Sequence, residues 1–129
     1  MRSLLRTLPA VLLVTCVAVT SVVAAESKAV QTMAGILAKL NHFASDTEKK
    51  TLKDIVDDKT ATAPEKTVAQ ALINVQHTVN AADKPKLEAL VADKATPDSI
   101  KTLADVILRL NHTPSDAEKD KLKKLISPS

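Results

Sequence analysis

Three histidines carry what chemistry this chain has to offer, and they stand 35 residues apart: His42, His77 and His112. Each follows an amide residue, in the pairs Asn41-His42, Gln76-His77 and Asn111-His112. Imidazole is the commonest side-chain ligand for transition metals, and zinc or copper would suit a set of three. The ring nitrogens would have to come within about 2.0–2.1 Å of one ion. A competing reading needs no ligand. Asn favours the left-handed position just past a helix, and His there can bond the last free carbonyls and meet the negative end of the helix dipole. On residue types alone this capping role ranks ahead of metal binding.

Other chemistry has less material. A single Gly leaves no Gly-rich phosphate loop. One Cys excludes an intrachain disulfide, a Cys-based zinc cage and a Cys-x-x-Cys-His haem site. Phe43 is the sole aromatic residue, so no base-stacking platform exists, and nucleic acid is not expected as a partner. Phe43 itself is expected to plug the hairpin rather than stand exposed. Ser45 and Ser115 lie near His42 and His112 with Asp46 and Asp116 adjacent, but each Ser is better used as a helix cap than as a nucleophile. Those two Asp residues are at most outer partners of the histidines, and Ala81 breaks their pattern in the second repeat. The basic run Lys119, Lys121, Lys123 and Lys124 reads as a solvated C-terminal helix face. No catalytic residue is assigned, and the chain is not expected to be an enzyme.

The histidine step belongs to a triplication. Thr32, Thr67 and Thr102 keep it, as do Ala34, Ala69 and Ala104, Lys49, Lys84 and Lys119, and Leu52, Leu87 and Leu122. Segments 30–56 and 100–126 share 11 of 27 aligned residues. Each unit begins with apolar residues at i, i+3, i+4 and i+7, a helical period: Met33, Ile36, Leu37 and Leu40; Val68, Ala71, Leu72 and Val75; Leu103, Val106, Ile107 and Leu110. A second, narrower stripe follows through Leu52, Ile55 and Val56 and their equivalents. Ser45-Asp46-Thr47-Glu48 and Ser115-Asp116-Ala117-Glu118 have the form of capping boxes. Asn80-Ala81-Ala82-Asp83 is weaker, and Pro85 should delay that helix by two or three residues. Pro64 and Pro97 stand 33 apart, which predicts that the third unit's first helix starts about two residues early.

The expected fold is therefore all-α, three tandem helical hairpins of about 35 residues at about 28–60, 63–95 and 97–127. In an open stack, equivalent histidines would lie roughly 8–10 Å or more apart, too far to share an ion. In a ring closed with threefold symmetry they would converge.

Ahead of the repeats, residues 1–25 have the grammar of a secretory signal peptide. Arg2 and Arg6 precede an apolar run from Leu8 to Val23, and Val23-Ala24-Ala25 offers small residues for cleavage. An uncleaved anchor is the alternative, the membrane then being met only through this segment. Lipidation at Cys16 is disfavoured because Thr15 stands where a smaller residue is required. Cleavage would remove Arg2, Arg6 and no acid, taking the net charge from +3 to +1 and removing the Cys. The expectation is a periplasmic or secreted domain, residues 26–129, that works as a small binding module without catalytic activity. Its protein partner in the cell envelope is unknown and is expected to meet the first helices and the His-bearing turns. It needs no cofactor. The alternative is a periplasmic zinc- or copper-binding protein using His42, His77 and His112.

Overall fold

The computed structural model describes residues 26–127, and the expected signal segment with Cys16 lies outside them. Six helices and no strand occupy the described residues. In chain order they are α1 (Lys28–Lys39), α2 (Asp46–Asp57), α3 (Ala63–Asn74), α4 (Lys84–Ala92), α5 (Asp98–Arg109) and α6 (Asp116–Ile126). None is long and apolar enough to cross a membrane.

Two layers result. Helices α1, α3 and α5 pack on one another, and α2, α4 and α6 lie outside them. The outer helices contact mainly the next inner helix along the chain, α2 on α3 and α4 on α5, while α6 returns to α1 and closes the ring. The inner stripes explain the arrangement. Met33, Val68 and Leu103 are fully buried, as are Leu37, Leu72 and Ile107, and Ala34, Ala69 and Ala104. Leu52, Leu87 and Leu122 seal them from the outer layer. Burying one such Leu contributes about 1.5–3 kcal/mol, so a 12-residue helix that is marginal alone becomes secure here. Burial also leaves the inner helices few fully exposed residues. Along α1 only Lys28 and Lys39 are exposed, along α3 only Ala63, and along α5 only Asp98 and Arg109.

Helix starts follow local chemistry with one exception. Both expected capping boxes form: Ser45 Oγ accepts from the Glu48 amide at 3.3 Å, and Ser115 Oγ from the Glu118 amide at 3.4 Å. A third box, Thr62 with Glu65, occurs at α3. Helix α4 begins at Lys84, where the register of Asp46 and Asp116 would place Ala81, so the expected delay is present. Pro97 departs from expectation. Helix α5 starts at Asp98, in step with Lys28 and Ala63 rather than two residues early, and Pro97 is its N-cap where Pro64 sits inside the first turn of α3. The core register of Ile100, Leu103 and Ile107 sets the start, and the proline accommodates it.

The inner helices run parallel, because both sets of ends meet. Ser27, Thr62, Glu65, Pro97 and Ser99 surround one depression at the N-terminal end. The histidines meet at the other.

Candidate metal centre

Each inner helix ends the same way. Leu40, Val75 and Leu110 leave helical geometry with ψ of 129°, 128° and 127°, and remain buried beneath the turn. The next residue but one is the histidine, and it alone takes positive φ: 69° at His42, 65° at His77 and 65° at His112. Around each, the following amide donates back two residues: Phe43 to Asn41 at 2.9 Å, Thr78 to Gln76 at 2.7 Å and Thr113 to Asn111 at 2.8 Å. An i→i+2 bond about a residue at positive φ is the rare, strained form of γ-turn. The left-handed residue is thus His and not the preceding Asn or Gln, which corrects the simple cap expected from the sequence. A non-glycine residue at positive φ costs about 1–2 kcal/mol, so the molecule carries this strain three times at one place.

Backbone bonds between the turns hold them there. The His42 amide donates to the His112 carbonyl at 2.9 Å, the His77 amide to His42 at 2.7 Å, and the His112 amide to His77 at 2.7 Å. This closed cycle uses one donor and one acceptor from every histidine. It also joins the first repeat to the last.

The imidazoles consequently cluster. Ring centroids are 5.0, 5.2 and 5.1 Å apart for the pairs 42–77, 42–112 and 77–112. Nδ1 of His42 and Nδ1 of His77 are hydrogen-bonded at 3.0 Å. One nitrogen from each of the three rings can be chosen so that all lie within 4.8 Å of one another. Three ligands of a tetrahedral ion, each about 2.0–2.1 Å from it, would be roughly 3.3–3.4 Å apart. His42 is half-buried, and His77 and His112 are exposed, so the cluster opens to water.

The helix ends here favour a cation. Three parallel helices present their C-terminal, partially negative ends to this one spot. Lys39 and Arg109 share the last turns, but the Arg109 guanidinium is engaged by Asp105 one turn back, at 3.0 Å.

The other residues singled out by sequence do not join the cluster. Among the described residues no hydrogen bond links Asp46 or Asp116 to a histidine, and Asp116 instead pairs with Lys119 at 3.6 Å. Ser45 and Ser115 hydroxyls are held by Glu48 and Glu118 at 2.8 Å, which leaves no Ser–His pair. Phe43 is not a plug: it is 54% exposed beside the histidines, with Lys49 Nζ 5.6 Å from its ring centroid. Sequence reasoning missed this pairing, although Phe43 stands where the other repeats have Thr78 and Thr113. That departure from the repeat was the available signal.

No known family model, curated protein or solved structure matches the chain. Its chemistry has to be read from its own geometry.

Proposed function

We propose that this chain is an exported protein of three helical hairpin units that binds one zinc or copper ion through His42, His77 and His112. The observation that carries the reading is the convergence of three repeat-equivalent imidazoles on one axis. Capping does not require such convergence, since a capping histidine needs only its own helix. Seating the ion requires the rings to turn until one nitrogen of each, now within 4.8 Å of the others, lies about 3.3–3.4 Å from them. The backbone cycle supplies preorganisation, because the turns are fixed before any ion arrives. Three protein ligands leave a fourth position to solvent or to another molecule.

Export rests on the residues of the N-terminal segment, and it agrees with a ligand set made of imidazole without thiolate. A protein-binding role would have to use the outer helices or the histidine end, because the inner helices expose so little. The reading assigns no reaction to the chain.

Calorimetric titration of the full chain with zinc and with copper(II) tests it, beside His42→Ala, His77→Ala and His112→Ala. One ion per chain, with affinity lost alike in all three variants, is the expected result. Undiminished affinity in any one of these variants would refute a shared site. Mass determination of the protein recovered from a cell envelope should give a chain beginning at Glu26; an intact N-terminus would count against cleavage.

A further inference from the structure

The histidine cluster is threefold, but its surroundings are not. In one of the three sectors, Phe43, Lys49, Gln76 and His77 line a shallow depression of about 290 Å³. His77 belongs to both the depression and the tripod, so the two share a wall. The volume falls just short of the range of about 300–1,000 Å³ for drug-sized ligands, which suits a smaller molecule. Its walls are chemically divided: an exposed aromatic face on Phe43, an ammonium on Lys49, and the edge of the metal tripod. The equivalents of Phe43 are Thr78 and Thr113, so only this sector offers an apolar wall of that size.

We infer that the fourth metal position and this depression together form a site for a small organic carboxylate with an apolar body. The inference rests on the metal reading above. The carboxylate oxygen takes the open coordination position, where a divalent ion favours an anion over a neutral donor. Its apolar part lies on Phe43, and Lys49 adds a second positive charge on the same side. A neutral ligand of the same shape forfeits both charge interactions. A carboxylate without the apolar part forfeits the contact with Phe43.

The test uses the full chain loaded with cobalt(II), whose visible absorption reports a change of fourth ligand. Phenylacetate, acetate and benzyl alcohol are titrated in turn against the chain, Phe43→Thr and Lys49→Gln. Threonine is the residue that the fold accepts at both equivalent positions, so Phe43→Thr tests the apolar wall in a chain expected to fold. Phenylacetate should bind at least about tenfold tighter than acetate, consistent with burial of part of an aromatic ring. Phe43→Thr should abolish that preference without changing cobalt affinity, Lys49→Gln should weaken both acids, and benzyl alcohol should leave the spectrum unchanged. Equal affinity for the two acids, or a preference that survives Phe43→Thr, would overturn the carboxylate site while leaving the tripod intact. Failure of cobalt to bind through the histidines would overturn both.

Discussion

The two ends of the inner helix trio are built from equivalent residues and have diverged to different degrees. At the C-terminal end His42, His77 and His112 are identical, their φ angles agree within 4°, and one cycle of backbone bonds relates all three. At the N-terminal end the three caps are Ser27, Thr62 and Pro97, and the buried position one turn in is Val30, Glu65 and Ile100. Glu65 is a buried carboxylate where its counterparts are hydrocarbon, held by the Ser27 hydroxyl and by the Thr62 amide at 2.7 Å. Stability can be met by several local solutions, and the N-terminal end uses a different one in each repeat. A shared ligand site would need all three copies to remain the same, and the histidine end keeps its three residues identical in a strained backbone.

The largest effect should come from breaking the threefold set. His77→Ala removes one ligand of three. Loss of an outer-shell partner alone typically lowers metal affinity 10–100-fold, so this variant should bind zinc at least about 100-fold more weakly by calorimetry. In the intact protein, zinc at 100 times its dissociation constant should add about 2.7 kcal/mol to unfolding free energy in denaturant melts. Glu65→Gln, at the opposite end, should do the reverse. Loss of the charged acceptor should destabilise the fold by about 1–2 kcal/mol, while zinc affinity stays within twofold.

The strain itself is open to measurement. His77→Gly and His77→Ala both lose the ligand, but only glycine adopts the positive φ freely. The glycine variant should be the more stable of the pair by about 1 kcal/mol in urea melts. Because glycine also loses about 0.5–1 kcal/mol more backbone entropy than alanine on folding, equal stability would mean that the turns store no more than that.

The smallest effect concerns Asp58, which shares a surface depression with Lys28 and Ala29 at the start of α1. Its carboxyl accepts from the Thr60 amide at 2.8 Å and from the Thr60 hydroxyl at 2.7 Å, and these bonds, the amide first, hold its pKa below the ordinary value. A depressed folded pKa means that its contribution is present above the unfolded pKa and is lost as pH falls through the folded one. NMR titration should find the low midpoint, and Thr60→Ala should move it part of the way back.

Much of this fold was legible because helices, caps and repeats are local. The 35-residue step is read directly from the repeated residues, and the apolar stripes, both Ser–Glu boxes and the late start of α4 follow from neighbours within a few residues. The pairing of layers was not legible. The stripe of α2 states how much area must be buried and not whether α1 or α3 buries it; ring closure by α6 on α1 decides that. The histidine geometry was half legible. Residue type and spacing nominated the three positions, but the γ-turns depend on hydrogen bonds between residues 35 or 70 apart in the chain. Phe43 misled because apolar side chains are usually covered, and the register gave it no neighbour to cover it.

The central claim is that three histidines share one ion. Zinc titration followed by NMR of the imidazole nitrogens of His42, His77 and His112 tests it directly. All three sets of resonances should shift together and stop changing at one equivalent of zinc. Shifts confined to one or two of the rings, or completed at different stoichiometries, would contradict a shared centre.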